Sequence, residues 1–377
     1  MKSAESIFRM HLKRVRVPDF RVLKDVDLTF EPDLVPRIFP LGSLNGGGKS
    51  TLLQLIFTLL HCCVDLNLSV YIENILDGFE VNVDIGKRNL ATISIATDER
   101  HIELEFVCYY IEPTSTYIEG EIETELYKKN SYYICGGART KSTKVLVCES
   151  NGLPYNELYD CLKDISTKIF LAAPITQVFR FLDRADRGLL FKGGEESYKY
   201  YSQLEAAKSK LPGFFAYDLL AVNLLIQAFI KARDDDFRVA IANDGKYGNS
   251  YQRLIEDLEQ MLVDKRINID LDFAGVSFNK VDSNGNTIQL YPEDLSHGEL
   301  KRLSLYMWLK FNKIENAIVL MDEVEIALHP DWQYQIVNDL QTWAPNNQYI
   351  LATHSHELCQ ALTPAHVKEI EPKLIKK

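Results

Sequence analysis

A glycine-rich loop between an apolar strand and an apolar helix constrains the fold of this chain most. The segment SLNGGGKST, Ser43 to Thr51, ends as the phosphate-binding P-loop pattern requires. Ser43 stands where that pattern has its first glycine, and Gly42 lies one position earlier. Glycines let a backbone wrap round a phosphate so that successive N–H groups point inward. The segment therefore predicts a strand over 37–41, a phosphate loop and a helix from about Ser50.

The loop supplies a set of candidate nucleotide-binding residues. They are Asn45, Gly46, Gly47, Gly48, Lys49, Ser50 and Thr51. Lys49 is expected to reach the β- and γ-phosphates of ATP, and the Ser50 hydroxyl is expected to hold Mg²⁺. A flexible glycine loop with a chance lysine is the alternative interpretation.

A second element carries acids at the end of a strand. The stretch AIVLMDEVEIALHP, Ala317 to Pro330, begins continuously apolar, which is typical of a buried parallel strand. Its acids follow at the C-terminal end, where α/β sheets bind ligands. Asp322 is predicted to hold Mg²⁺, and Glu323 to orient or deprotonate the attacking water. Glu325 is left open between metal ligand, interface contact and solvated acid.

A third element, YILATHSHEL, is another apolar strand that ends in a polar turn. His354 leaves this strand, and we expect it to hydrogen-bond the γ-phosphate and sense its loss. His356 is the alternative for that role. A capping or merely polar histidine is the plainer interpretation.

The stretch DLSHGELKRL predicts a helix start suited to an anion. Ser296 and Glu299 have the spacing of a capping box, in which two side chains satisfy the first N–H groups of a helix. Gly298 weakens a helix in its first turn. A helix N-terminus favours negative charge through its free N–H groups and its dipole.

Composition limits the class of protein. The chain has 377 residues, a net charge of −11 and 46% hydrophobic residues, which suffices for one large or two medium domains. The apolar runs are too short to span a membrane, and the N-terminus does not resemble a secretory signal. The seven cysteines contain no C-x-x-C pair, so we expect reduced, partly buried thiols in a cytoplasmic protein without membrane contact.

Periodicity gives the remaining elements. Alternating residues predict a β hairpin over 5–30, and strand-like composition predicts β meanders over 90–148. Helical periodicity predicts helices over 196–265, and strands return over 267–273 and 276–291.

The chain carries a lysine loop, LSHGE, DE and a histidine in the same order as the ABC-type ATPases. The stretch LSHGE resembles the signature of that family, with His297 at a variable glycine position. The resemblance implies an α/β P-loop NTPase with a mixed β-sheet core, an antiparallel β subdomain and a helical insertion. It implies an N-terminal ATPase lobe over 1–180, the insertion over 181–270 and a C-terminal lobe over 271–377. It also implies that Ser296, Gly298 and Glu299 bind ATP held by a second protomer, in a sandwich homodimer.

Two stretches narrow the branch of this family. VRVPDFRVLKDVDLTF and DEVEIALHPDWQ resemble the RecF, SMC and OLD-like ATPases more than transporter subunits. Gln177 occupies the position of the Q-loop of this family, so it is a candidate contact of Mg²⁺ or of the attacking water. An ordinary surface glutamine is the alternative interpretation. The segment between Gln177 and Asp294 is too short for an SMC-scale coiled coil, and the segment after His354 is too short for a Toprim nuclease domain.

The resemblance extends to stand-alone ATPases of bacterial anti-phage systems such as Septu and PARIS. It implies an ATP-hydrolysing sensor or regulator subunit for a separate nuclease or toxin, with a higher oligomer left open. The alternatives are a RecF-like DNA-repair ATPase and a scaffold or inhibitor that binds ATP with little turnover. A transporter subunit is a distant fourth.

A nucleic-acid contact also stays open. Arg180, Arg184 and Arg187 have the spacing of one helix face, and the basic segment over 138–144 is a second candidate. Asp183 and Asp186 alternate with the arginines, which favours a solvated, salt-bridged helix instead.

Overall fold

The computed structural model describes the chain except for a set of short gaps. The described residues are 10–43, 46–98, 100–110, 131–136, 144–150, 152–189, 191–192, 195–217, 222–262, 264–273 and 275–370. They form two compact units: the first is drawn from residues 1–215, 315–325 and 345–377, and the second from 216–314 and 326–344.

The secondary structure alternates between strands and helices. The strands are β1 Met10–Phe20, β2 Leu23–Thr29, β3 Ile38–Gly42, β4 Lys87–Thr97, β5 His101–Tyr110, β6 Ser131–Gly136, β7 Lys144–Ser150, β8 Ile169–Ala173, β9 Phe214–Ala216, β10 Lys265–Ile269, β11 Val276–Val281, β12 Thr287–Leu290, β13 Ile318–Asp322, β14 Gln348–Ala352 and β15 Lys368–Glu369. The α-helices are α1 Lys49–His61, α2 Ser69–Ile75, α3 Tyr155–Ser166, α4 Arg184–Leu189, α5 Glu195–Ser209, α6 Val222–Ala242, α7 Ser250–Leu262, α8 His297–Phe311, α9 Pro330–Trp343 and α10 His356–Gln360.

A six-stranded sheet of order β15-β3-β14-β13-β8-β9 forms the core of the first unit. The pairs β15–β3, β3–β14, β14–β13 and β13–β8 are parallel. Asp322 pairs with Ala352, and Ala352 pairs with Leu41. Strands β3, β14 and β13 therefore end side by side. The loops that follow these three strands lie together at one edge of the sheet.

An antiparallel sheet of order β2-β1-β4-β5-β7-β6 completes the strands of the first unit. Its core-facing residues include Leu12, Val15 and Phe106, all fully buried. The hairpin of β1 and β2 confirms the alternation predicted over 5–30, as far as that range is described. Four strands, β4 to β7, confirm the strands predicted over 90–148, but their order β4-β5-β7-β6 is not a simple meander, because β7 lies between β5 and β6.

The second unit combines helices α6 to α9 with the small antiparallel sheet β10-β11-β12. A buried ion pair joins two of its helices: Arg302 of α8 and Asp339 of α9 lie 2.7 Å apart, each 9% exposed. The Arg302 guanidinium also lies over the Trp332 ring, 5.1 Å from its centroid. Removing one partner of such a pair would leave an uncompensated buried charge, so the contact fixes α8 against α9.

Some boundaries differ from those the sequence suggested. Residue 180 is not a boundary between the two units, because the chain up to 215 lies in the first. The short strand Phe214–Ala216 interrupts the range in which only helices were predicted. Its pairing in the core sheet depends on distant residues, and local periodicity carries no such information.

The cysteines are as the sequence led us to expect. All seven cysteines are free, and six of them are buried. Burial raises the pKa of Cys63 to about 12 and that of Cys161 to about 11, which disfavours the reactive thiolate. Among the described residues, no helix is long and apolar enough to cross a membrane.

Candidate nucleotide-binding site

The glycine loop turns sharply into α1, whose first residue is Lys49. Gly48 caps this helix in the left-handed region at φ 93°, and Gly46 has φ 79°. A Cβ on Gly48 would lie 2.5 Å from the end of the Leu23 side chain, so a larger residue would displace that side chain in addition to being strained at this φ. The α1 N-terminus has no side-chain cap, which leaves its N–H groups free for an anion. Asn45 lies outside the described residues.

Lys49 is held in the centre of the site. Its side chain is only 6% exposed, and Nζ donates to Ser43 Oγ at 3.1 Å. His354 Nδ1 accepts from the same ammonium at 3.5 Å. Burial lowers the pKa of Lys49, and the nearby carboxylates, Glu325 foremost, oppose that shift. A phosphate group would provide the anion that this buried cation lacks.

Asp322 and Ser50 face each other at the end of β13. Ser50 Oγ donates to Asp322 Oδ1 at 3.0 Å, and Asp322 is 2% exposed. Burial raises the pKa of Asp322 to about 7, reinforced by Glu323 and Glu325 and opposed by Ser50. Asp322 Oδ2 has no hydrogen-bond partner among the described residues.

These two side chains fit a magnesium ion. Mg²⁺ prefers hard oxygen ligands and keeps several waters. The Ser50 hydroxyl and the Asp322 carboxylate provide such oxygens next to each other, and one carboxylate oxygen is buried without a partner. The pair therefore has the chemistry that the sequence predicted for the metal site.

The structure excludes one of the three interpretations of Glu325, and its roles as a metal ligand or an interface contact stay predictions. Its side chain is 8% exposed, so a solvated surface acid is excluded. Oε1 accepts from the backbone N–H of His354 at 2.7 Å, while Oε2 has no partner among the described residues. Glu325 thus joins the strand that ends in Asp322 to the loop that carries His354.

Glu323 occupies an unusual backbone position next to Asp322. Its φ of 54° is left-handed, and its N–H donates to Ala352 O at 2.9 Å. Such conformations in residues other than glycine cost roughly 1–3 kcal/mol and cluster at functional sites. The side chain is half-buried, so it is accessible to a water or a ligand.

The two candidate histidines differ in their surroundings. His354 contacts both Lys49 and Glu325, as described above, and its side chain is exposed. The His356 ring instead lies 2.8 Å from the Gln360 amide, within α10. The geometry favours His354 as the histidine that faces a bound phosphate.

Gln177 and Arg180 lie in the short 3₁₀ helix Ile175–Phe181. Gln177 Oε1 accepts from Gln54 at 2.7 Å, one helical turn beyond Ser50, and its contact with Mg²⁺ stays a prediction. The helix face predicted for the three arginines is wrong, because α4 begins only at Arg184.

Arg180 points into the site from that 3₁₀ helix. It donates to Thr51 Oγ1 at 2.7 Å, and its positive charge partly opposes the rise in the pKa of Asp322 that burial causes. Sequence reasoning offered this arginine to nucleic acid and missed its position beside the P-loop. Of the other candidates, Arg187 pairs with Asp77 at 3.1 Å, and residues 138–143 lie outside the described residues.

In the second unit the predicted capping box is confirmed. Ser296 Oγ accepts from the N–H of Glu299, and Glu299 Oε2 accepts from the N–H of Ser296 at 2.9 Å. Close packing explains why residue 298 is a glycine, which the sequence did not reveal. A Cβ there would lie 2.8 Å from Ala327 O and 3.0 Å from the Trp332 ring.

The chain is similar to one family model and to two curated proteins. Residues 179–360, just under half of the chain, match the family model described as "AAA domain, putative AbiEii toxin, Type IV TA system". The chain is 30% identical over 132 residues to the "Retron Vc95 probable ATPase" of Vibrio cholerae serotype O1 biovar El Tor, covering 32% of this chain and 24% of that protein. It is 24% identical over 221 residues to the "Retron Ec83 probable ATPase" of Escherichia coli, covering 46% and 41%.

The chain thus spans less than half the length of these two curated relatives. Among solved structures, the SMC head domain from Thermotoga maritima aligns over 93% of this chain and 92% of that chain, at 11% identity and a TM-score of 0.45.

The P-loop, the acids that end β13 and His354 meet at one edge of a parallel sheet, and an antiparallel sheet and a helical part accompany them. This arrangement is that of a P-loop nucleotide-binding site, and the chain is similar to the matched family model over 179–360 and to two proteins named as probable ATPases.

We predict that Asp322→Asn stabilises the protein in the absence of Mg²⁺ and nucleotide. An unfolded aspartate ionises near pH 3.9 and the folded one near 7, so the free-energy cost of Asp322 grows between these two pH values and is complete above pH 7. The free energy of unfolding at pH 8 should rise by roughly 1–3 kcal/mol, and the gain should vanish below pH 4.

Urea unfolding at both pH values measures this difference. Asp160→Asn, which replaces an exposed acid of α3, is the matched control and should change little. An equal effect of Asp322→Asn at pH 4 and pH 8 would contradict the raised pKa.

Proposed function

We propose that this protein is a cytosolic, Mg²⁺-dependent ATPase that closes on ATP as a homodimer and controls a separate nuclease or toxin in anti-phage defence. The observation that carries the ATPase proposal is the convergence of Lys49, Ser50, Asp322 and His354 at one edge of the parallel sheet. Lys49 would bind the phosphates, and Ser50 and Asp322 would hold the metal. His354 would lie next to the phosphate that Lys49 binds.

The individual groups have distinct chemical tasks. Lys49 and the free N–H groups of α1 offset the negative charge of the β- and γ-phosphates. Mg²⁺, when held by Ser50 and Asp322, neutralises charge that develops on the phosphate oxygens. Glu323 accepts a proton from the water that attacks the γ-phosphate, or orients that water.

Glu325 and His354 suit the detection of the γ-phosphate. Glu325 fixes the backbone of His354 through one hydrogen bond, which sets where the imidazole can reach. His354 Nδ1 is close to the Lys49 ammonium, the group that a phosphate would displace or bridge. Loss of that phosphate would therefore change the contacts of the strand-end loop that carries His354.

Dimer formation would complete the site. Ser296 and His297 are exposed at the start of α8, so this helix start is accessible to a ligand on another molecule. The resemblance to the ABC signature assigns that ligand as ATP bound to the P-loop of a second copy. Hydrolysis would then require two chains.

The defence role has support from similar proteins. Both curated relatives are named as probable ATPases of retrons, and the description of the matched family model includes a toxin. An ATPase whose conformation follows its nucleotide state suits the control of an effector made as a separate chain. Co-expression with the products of neighbouring genes, followed by ATP-dependent co-purification, tests this part; a neighbouring permease would contradict it.

Glu323→Gln should keep ATP and Mg²⁺ binding and lower the hydrolysis rate at least 100-fold, a typical contribution of a general base. The amide can still accept a hydrogen bond from water but cannot take its proton. Lys49→Ala, the matched control, should lose nucleotide binding as well. Equilibrium binding of a fluorescent ATP analogue and phosphate release separate the two; near-normal turnover in Glu323→Gln would assign the proton acceptor elsewhere, with Glu325 the first residue to test.

Mixing two inactive variants tests the composite site. Ser296→Arg blocks the helix start and Lys49→Ala removes the P-loop lysine, so neither homodimer has an intact site. In the mixed dimer, one site combines the P-loop of the first variant with the helix start of the second. We expect part of the ATPase rate to return on mixing.

Ser296→Arg alone provides the decisive control. It should still bind ATP at its own P-loop while its turnover is lost. Full ATPase in this variant would show that the start of α8 contacts no catalytic phosphate.

A further inference from the structure

Glu299 places a negative charge at the helix start that is proposed to meet a phosphate. Its Oε2 accepts from both the N–H and the hydroxyl of Ser296, each at 2.9 Å. Burial would raise the pKa of Glu299, but the hydrogen bonds from Lys265 and Ser296 lower it, so the carboxylate is ionised. A carboxylate suits the first turn of a helix, yet it repels any other anion that approaches the same N–H groups.

A lysine from a different element compensates this charge. Lys265, the first residue of β10, places Nζ 2.6 Å from Glu299 Oε1, and the two side chains are only 11% and 12% exposed. Burial would lower the pKa of Lys265, but its bonds to Asp264 and Glu299 raise it. The ammonium is therefore charged, and the pair is shielded from solvent.

The second acid near Lys265 has a cation of its own. Asp264 lies 2.8 Å from Lys265 and 2.6 Å from Lys280 of β11, and hydrogen bonds from both lower its pKa to about 2. Two lysines thus balance two carboxylates. With Lys280 assigned to Asp264, the charge of Lys265 is left to neutralise Glu299.

We propose that Lys265 is a positioning residue that neutralises Glu299, so that the start of α8 can accept the phosphate of an ATP bound to a second copy of this chain. The inference rests on the proposed function, since it needs the signature helix to meet nucleotide. Lys265 does not itself contact the nucleotide; it acts through the charge of Glu299. The device would allow a glutamate to complete the capping box without a net negative charge at the phosphate site.

A purely mechanical role for Lys265 makes a different prediction. If the lysine only tethers β10 to α8, then removing Glu299 as well leaves the tether broken. If Lys265 neutralises charge, Glu299→Gln should repair the loss of the lysine. Glutamine is uncharged, and its amide oxygen can still accept from the Ser296 N–H.

ATP-dependent self-association measures this without turnover. In the Glu323→Gln background, with ATP and Mg²⁺, sedimentation equilibrium gives the dissociation constant of the dimer. Adding Lys265→Met should weaken the dimer by roughly tenfold or more, because an unpaired carboxylate then faces the phosphates. Adding Glu299→Gln to that protein should return the constant to within about threefold of the parent.

Two further variants sharpen the test. Lys280→Met removes the same charge from the same small sheet but leaves Lys265 in place, shared between Asp264 and Glu299, so dimerisation should weaken less than with Lys265→Met. Lys265→Gln keeps a hydrogen-bond donor and loses only the charge, and it serves if Lys265→Met does not fold. Thermal unfolding checks each variant, and binding of a fluorescent ATP analogue to the monomer should be unchanged.

The outcomes separate the two levels of the proposal. A Glu323→Gln parent that does not self-associate with ATP would contradict the proposed dimer and this inference together. A parent that associates, with Lys265→Met equally tight or with no rescue by Glu299→Gln, would overturn the inference alone. Rescue by Glu299→Gln, with a smaller effect of Lys280→Met than of Lys265→Met, supports it.

Discussion

A lysine and two carboxylates lie buried together where the parallel strands of the first unit end, and the rest of the site is organised around them. Lys49, Asp322 and Glu325 are each less than one-tenth exposed, and one oxygen on each carboxylate has no hydrogen-bond partner among the described residues. Burial of charge is costly unless the charge is paired or bound to a metal. The raised pKa of Asp322 and the lowered pKa of Lys49 reflect that cost. A magnesium nucleotide has the cation and the anions that would satisfy both.

The start of α8, in the second unit, carries a charge that must be compensated. A capping glutamate stabilises the first turn of α8 and at the same time carries the same charge as a phosphate. Lys265 pairs with that glutamate at 2.6 Å in a nearly buried position. The buried Arg302–Asp339 pair then holds the same helix against α9. The first contact neutralises the charge of the glutamate, and the second holds the helix in position.

The sequence predicted those parts of the structure that depend on local pattern. The glycine loop, the apolar strand before it and the capping box of Ser296 and Glu299 each lie within about ten residues, and the structure confirms them. Contacts between distant residues were beyond such reasoning. Arg180 meets Thr51 across 129 positions, and Lys265 meets Glu299 across 34.

Glycine and boundary assignments show the same limit. Gly298 suggested an anion site from its helix position alone, whereas its close approach to Ala327 and Trp332 is visible only in three dimensions. The short strand Phe214–Ala216 belongs to the core sheet although helical segments surround it in the sequence. Periodicity reports which face of an element is buried, and not which partner buries it.

The central claim is that two copies of the chain share each ATP. The most direct measurement is the ATPase rate per chain as a function of protein concentration, at saturating ATP and Mg²⁺. If catalysis needs a second copy, the rate per chain should rise in proportion to concentration when dimers are rare and then reach a plateau. A rate per chain that is constant from well below to well above the dimer dissociation constant measured under the same conditions would show that one copy suffices, and the shared site would be wrong.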